Sequence, residues 1–540
     1  MSKQLVRPWE AEREKLNKLE LLKLERDGLD IIEKIKQLAH QGYGAFTEED
    51  LTFFKWAGVY EQRPKGSGLF MMRVRIPSGI LNSTQARTLA AISRDYGKDL
   101  VDVTTRQAVQ FHWLPTECLP DVFARLEAVG LFSYQACGDV PRTIVGNPLA
   151  GIDPDELIDT RPIVRELEEH FRLNREYSNL PRKYKTSISA NIYNTGHAEI
   201  NDLAFTPASK EIDGEEVIGF HVWVGGGLSA KPYLAQQLDL FVRPEEVVKV
   251  AAGVTRIFRD YGYREKRHHA RLKFLVADWG AEKFLQKLCE LIGPMPKRGV
   301  DRTVGWNAGY YTGVHKQKQP GLNYVGLLLP VGRMSADDLA ELARLADQYG
   351  NGELRTCNSQ NILIPNVPDK KLDALLAEPL LEKLTPFPRT FIGHAVSCTG
   401  IEFCNLAITE TKARMLSIAN WLDEHVTLDT PIRLHVNGCP NSCGQQQIAD
   451  IGLQGAKVKT AEGTIDAFDI HVGGSLGPDA AFNQRLKGRV PADRVAPVIA
   501  HLIEYYKANR QPGERFHQFV RRVGHAALQA QLDQLLAGTT

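Results

Sequence analysis

Long apolar runs are missing from these 540 residues. No stretch approaches the ~20 apolar residues that span a bilayer, so a membrane protein is not expected. A surplus of either charge is missing as well: 66 Lys and Arg stand against 65 Asp and Glu, for a net charge of +1. That balance provides no global field for nucleic acid or an anionic membrane, so any anion chemistry must be local. The opening MSKQLVRPWEAEREK carries charges where a secretion signal needs an apolar run, and a cytoplasmic protein is expected. Eight cysteines in that reducing setting do not make a disulfide framework; clustering among them points to metal binding or redox chemistry. Cys118 and Cys289 stand alone in apolar, helical-looking surroundings and are assigned to the core. A dinucleotide fingerprint is absent too, because VWVGGGLS (Val222 to Ser229) is glycine-rich but wrongly spaced. What remains, with 43% apolar and 24% charged residues, is a globular chain of several domains.

That chain repeats itself. Residues 73–112 align with 326–365 without a gap, pairing Pro77 with Pro330, Gly79 with Gly332, Tyr96 with Tyr349 and Gln107 with Gln360. Further on, FHVWVGGGLS (Phe220 to Ser229) matches FDIHVGGSLG (Phe468 to Gly477). Two copies of one two-block unit predict an internal pseudo-twofold, with an interface suited to a large ligand. Each first block has an apolar alternating run, a glycine turn, a helix of period near 3.6 and another strand. Residues 1–58 form a charged helical arm, and Pro491 to Leu536 is again helical; neither shows chemistry of its own.

Four cysteines fall in two pairs, Cys398 and Cys404 in SCTGIEFCNLA, and Cys439 and Cys443 in NGCPNSCGQQQ. Their separations of five and three residues differ from the two-residue knuckles of structural zinc. An iron-sulfur cluster tolerates varied spacings because its iron corners are well separated. Cluster ligation is therefore the reading preferred over zinc and over unconnected core cysteines. Gly438 and Gly444 flank the second pair, where they would let backbone N–H groups approach sulfide.

The first copy has cations in the corresponding stretch. Arg142 lies in DVPRTIVGNP, and Arg182, Lys183 and Lys185 lie in LPRKYKTSI, while Arg73 and Arg75 share a strand face. One copy is thus read as redox-active and the other as anion-binding, against the plainer alternative of exposed basic residues.

At these residues the sequence resembles, over nearly its whole length, the siroheme-dependent sulfite and nitrite reductases of the single-chain, ferredoxin-linked type. The likeness rests on the cysteine quartet, on TTRQAVQFHW (Thr104 to Trp113), on PRTIVGNPLAGIDPDE, on LPRKYK and on the duplication. It implies an α+β fold, internally duplicated about a pseudo-twofold, with two ferredoxin-like half-domains pairing and two α/β domains for siroheme and cluster. The expected boundaries are 1–58 for the arm, 59–130 and 313–380 for the half-domains, 131–312 for the siroheme and anion domain, and 381–540 for the cluster domain. By resemblance Cys398, Cys404, Cys439 and Cys443 hold a 4Fe-4S cluster, and Cys443 also reaches the siroheme iron. Arg73, Arg142, Lys183 and Lys185 would surround the oxyanion. Guanidinium suits charge holding, and lysines crowded by cations suit proton donation. Siroheme carries eight carboxylates, for which Arg106, Gln107, Gln110, His112, Arg267, Arg271 and Lys273 are the candidates. His112 and His268 are equally well explained as buried core histidines, and neither is assigned as an iron ligand. Ferredoxin is the implied electron donor, ahead of a separate flavoprotein subunit, and a monomer is expected.

Between the two anions, the residue two beyond the first pocket lysine separates the family: plant nitrite reductases have an amide there and sulfite reductases a second lysine. Lys185 therefore favours sulfite. Cys137, five residues before Arg142, matches a cysteine that sulfite reductases link to a tyrosine by a thioether, with Tyr60 as the partner here; an unmodified Cys137 is the other reading. Against sulfite, VGNPLAGID and GLNYVGLLLPVGR resemble nitrite reductases, and many bacterial members reduce both anions. A non-catalytic iron-sulfur protein or a zinc module on the same fold is the alternative of a different class.

Overall fold

A computed structural model describes residues 8–10, 12–460 and 463–537. Residues 1–7 of the charged opening lie outside them. No helix among the described residues is long and apolar enough to cross a membrane.

The first block of each copy builds an antiparallel sheet that borrows a strand from the other copy. One sheet runs Val59–Glu61, Leu69–Val74, Val109–Pro115, Leu100–Val103 and then Arg333–Ser335, from the second copy. The other runs Gly313–Lys316, Leu322–Leu327, Ile362–Pro368, Glu353–Thr356 and then Ile80–Asn82, from the first. The exchange is reciprocal: Met334 pairs with Val101, and Leu354 with Leu81. Each borrowed strand runs straight into a capped helix. Asn82 caps Ser83–Tyr96 and Ser335 caps Ala336–Tyr349, each in a capping box that satisfies the first-turn amides reciprocally. The two helices pack on each other, and one continuous apolar core runs through both half-domains. Cutting the chain at 130 and 313 therefore separates the sequence blocks but not the sheets.

The second blocks form two sheets that share one five-strand order, the first carrying a sixth strand, Val300–Asp301, against Leu203–Ile212. Val145–Gly146, Thr186–Ile188 and Leu203–Ile212 run parallel, and Glu215–Val224 and Gln236–Val242 continue antiparallel. Ala395–Ser397, Leu434–Asn437 and Ile451–Thr460 repeat the parallel trio, followed by Gly463–Val472 and Gln484–Pro491. Each sheet has its own core, covered by helices such as Val247–Tyr261 and Val495–Asn509.

The N-terminal arm is tied to the first copy by buried ion pairs. Buried Lys23, in the helix Lys18–Glu25, donates to Glu20 at 2.6 Å, to Asp139 at 2.8 Å and to the Leu180 carbonyl at 2.8 Å. Arg264 bonds the other oxygen of Glu20. Arm residues Asn17 to Leu22 and Thr47 to Lys55 also help wall a cavity of about 770 Å³ whose other side includes Tyr60, Asp139, Arg142, Arg182 and Arg267.

Candidate active site

Two pairs of parallel strands position the site. Ser397 lies opposite Val436, so Cys398 and the turn from Gly438 to Cys443 leave the same end of one sheet. The Gly438 N–H donates to Cys398 Sγ at 3.3 Å, and the Cys398 N–H donates to the Val436 carbonyl at 3.1 Å. The two flanking glycines are required by space. A Cβ on Gly438 would meet Ala407 Cβ at 2.9 Å, and one on Gly444 would meet the Val436 carbonyl at 2.8 Å. Burial, and then the charge of Cys443, pushes the Cys398 thiol up to about 12; burial leads the same rise at Cys404 and Cys439, with Cys443 contributing to both. The thiols of Cys398, Cys404 and Cys439 are therefore costly to ionise unless a cationic centre compensates them, which is the service an iron-sulfur cluster performs. Among the described residues no three His, Cys, Asp or Glu side chains converge closely enough to hold a single metal ion.

In the other copy, Pro141 bridges Tyr184 in parallel, and the Arg142 N–H donates to the Tyr184 carbonyl at 2.8 Å. Tyr184 turns into the core, so its neighbours Lys183 and Lys185 share the opposite face, beside Arg142. Arg142 is fixed by the carbonyls of Ala136 (3.1 Å) and Gly138 (3.0 and 2.7 Å). Arg73 donates to Cys137 Sγ at 3.5 Å and to Gln110 Oε1 at 3.1 Å. Arg106 reaches Asn201 at 2.9 Å and the Thr143 carbonyl at 2.7 Å. Among the described residues none of Arg73, Arg106, Arg142, Lys183 and Lys185 forms an ion pair with a carboxylate, and the Nε atoms of Arg73 and Arg106 are buried without a partner. Burial and then Arg271 lower Lys183 to about 7; burial and then Lys183 lower Lys185 well below the usual lysine range; burial and then Arg142 bring Arg106 down to about 9. A cation cluster this crowded and this short of carboxylates fits an anionic macrocycle and a small oxyanion.

The two halves meet where these sets converge. Thr105 donates its hydroxyl to the Cys443 carbonyl at 2.9 Å, and Gln110 donates to Thr399 Oγ1, beside Cys398, at 3.2 Å. The charge of Cys443 acts on Arg73, Lys183 and Lys185.

The remaining cofactor candidates each have partners within the protein. Gln107 donates its amide to the carbonyls of Ser78 (3.2 Å) and Thr356 (3.3 Å) and accepts from the Gly146 N–H (3.0 Å), so it ties the two copies together. Its twin Gln360 does the same, with the Val103 and Ser397 carbonyls both at 3.0 Å. His112 is fully buried, with Nε2 3.0 Å from Asp102 and its ring stacked on Phe403. His268, which the sequence left open as a core histidine, is exposed. Arg267 is held by Asp139 (2.9 and 3.2 Å), Arg271 by Asp202 (3.0 and 2.7 Å), and Lys273 donates to the Leu228 carbonyl at 2.9 Å. Arg75 leaves the Arg73 face and pairs with Glu168 at 2.6 and 2.7 Å. Cys118 is buried as expected, whereas Cys289 is only half-buried. What sequence reasoning missed are the carboxylates Asp139 and Asp202, which bind these cations from distant positions. A one-dimensional count of basic residues does not reveal such pairing.

Tyr60 lies beside Cys137: burial and then the Cys137 charge raise its phenol to about 12.

Known proteins with this arrangement are readily found. The family model "Nitrite and sulphite reductase 4Fe-4S domain" matches residues 137–293 and 391–538, and the "Nitrite/Sulfite reductase ferredoxin-like half domain" matches 61–129 and 315–381. The ferredoxin–nitrite reductase of Synechococcus elongatus is 43% identical over 91% of this chain and 97% of its own. Sulfite reductase (ferredoxin) 1 of Mycolicibacterium paratuberculosis is 37% identical over 96% of this chain and 97% of its own. The solved structure of the Mycobacterium tuberculosis NirA protein superposes with a TM-score of 0.91 at 36% identity, covering 98% of this chain and all of that one. The chain belongs to the nitrite and sulfite reductase family, an oxidoreductase with siroheme and a 4Fe-4S cluster as its cofactors.

Proposed function

We propose that the protein reduces sulfite to sulfide, taking six electrons from ferredoxin. The observation that carries this reading is the second pocket lysine: Lys183 and Lys185 present two side-chain amines, free of carboxylate partners among the described residues, on the face that also holds Arg142. Siroheme, when bound, supplies the iron that holds the anion, and the cluster supplies the electrons; Cys398, Cys404, Cys439 and Cys443 would hold the cluster. Arg73 and Arg142 keep their charge and hold the anion's oxygens. Lys183, lowered to about 7 by burial and then by Arg271, gives up a proton readily near neutral pH, and Lys185 shares this task as oxygen leaves as water. A dianion with three oxygens gains more from the fourth cation than nitrite does.

Nitrite is the second reading, favoured because relatives such as those of Synechococcus elongatus and Haloferax mediterranei are named nitrite reductases. A cytoplasmic monomer completes the reading. The Tyr60 and Cys137 contact supports a thioether between a Tyr60 ring carbon and Cys137 Sγ, formed as two hydrogens pass to an oxidant such as dioxygen. An intact mass two hydrogens low, with a crosslinked peptide, tests that bond. Product analysis tests the reaction: with reduced ferredoxin or a dye donor, sulfide should accumulate with six electrons consumed per sulfite, and failure to form sulfide would refute the proposal.

A further inference from the structure

The second block of each copy places a cation and an aspartate in one relation. Lys185 donates its backbone N–H to Asp202 Oδ2 at 2.8 Å, and Arg433 donates its own to Asp450 Oδ2 at 3.0 Å. The Lys185 carbonyl accepts from the Leu203 N–H and that of Arg433 from the Ile451 N–H, both at 3.1 Å. The backbone carbonyls of Asp202 and Asp450 in turn accept from the Gly225 (2.9 Å) and Gly473 (2.8 Å) N–H groups. Lys185 and Arg433 are thus matched positions, at the same offset that relates Phe220 to Phe468.

Their side chains behave oppositely. Arg433 folds back on its aspartate, with Nε and Nη2 each 2.7 Å from Asp450, and His517 Nδ1 lies 3.4 Å from the same carboxylate. Asp202 is instead gripped on both oxygens by Arg271, just ahead of the helix Leu272–Ile292, and Lys185 forms no ion pair among the described residues. A glycine makes room for this guanidinium: a Cβ on Gly227 would meet Arg271 Nη2 at 2.7 Å. The matched residue in the other copy is Ser475, whose hydroxyl accepts from Arg521 at 2.8 Å. The third glycine of VGGGLS and the loss of the fold-back therefore occur together.

A carboxylate that accepts a residue's backbone N–H lies within reach of that residue's own side chain, as Arg433 shows. A buried carboxylate without a partner is costly and recruits the cation within reach. We infer that Arg271 is a positioning residue for the oxyanion pocket: by satisfying Asp202 it prevents the Lys185 ammonium from folding back and leaves it facing the anion. This rests on the reading of Lys185 as a substrate-facing cation.

The test is a cycle of four purified holoproteins: the parent, Lys185→Met, Arg271→Met and the double variant. Sulfite is titrated against each, and the shift of the siroheme visible bands gives Kd without turnover. Each single substitution is expected to raise Kd about tenfold, and the double variant to match Lys185→Met within about twofold, because a side chain that is absent cannot be captured. Additive losses, about a hundredfold in the double variant, would mean that Arg271 supports the pocket independently of Lys185, and would overturn the inference. An unchanged Kd in Lys185→Met would instead remove the reading on which it rests. Where Arg271→Met does not accumulate as holoprotein, Gly227→Ala, which displaces the guanidinium but keeps its charge, takes its place in the cycle with the same outcomes.

Discussion

Thr105 of the first copy donates its hydroxyl to the backbone carbonyl of Cys443 in the second, at 2.9 Å. The turn that carries Thr105 therefore supports the last cysteine from the opposite half of the molecule. Thr105→Val should cost about 1 kcal/mol of stability for the lost hydrogen bond, and should speed iron release from the holoprotein under a chelator. Parent-like release kinetics would show that the loop is held without it.

The cysteine quartet predicts ~4 non-haem irons per chain. Cys439→Ser should lose most of them together with the visible bands of the coupled cofactors. A variant that keeps a full iron complement would remove Cys439 from the ligand set.

Lys23 links the arm to the site loop, with Glu20, Asp139 and Lys23 itself all buried. Lys23 and Arg267 hold Asp139 well below the ordinary carboxylate range, although burial alone would raise it. Removing one partner from such a group costs about 3 kcal/mol, so Lys23→Met should lower Tm by several degrees. It should also reduce turnover, because the arm walls the cavity beside Arg142. An unchanged Tm would show that Arg267 and Arg182 suffice for Asp139.

Lys183 stands at about 7, lowered by burial and then by Arg271. Its cationic form predominates below that pH and is lost above it, so anion affinity should weaken as pH rises through about 7. The slope should approach a tenfold loss per pH unit at the alkaline side. Nitrite keeps its single charge over this range and is the clean probe. A flat nitrite Kd between pH 6 and 8, or a Lys183→Met variant with the parent's slope, would contradict the assignment.

The cysteine pairs and the matched blocks were legible because both are local patterns: a spacing, and a register held over forty positions. The reciprocal exchange of Ile80–Asn82 and Arg333–Ser335 was not, since a three-residue strand carries no periodicity and its partner lies in the other copy. Gln107 illustrates a second limit. Its amide suits a carboxylate as well as a carbonyl, and only the fold shows that the Ser78 and Thr356 carbonyls hold it. Among the described residues Arg73, Arg106, Arg142, Lys183 and Lys185 form no ion pair, whereas Asp139 and Asp202, distant in sequence, pair with Arg267 and Arg271.

The most direct test of the account is the ratio of kcat/KM for sulfite to that for nitrite, measured with the same reduced ferredoxin in the parent and in Lys185→Asn. The account predicts a ratio above one in the parent and a fall of at least about tenfold in the variant, where one charge facing the dianion is gone. A parent ratio below one, left unmoved by the substitution, would contradict it.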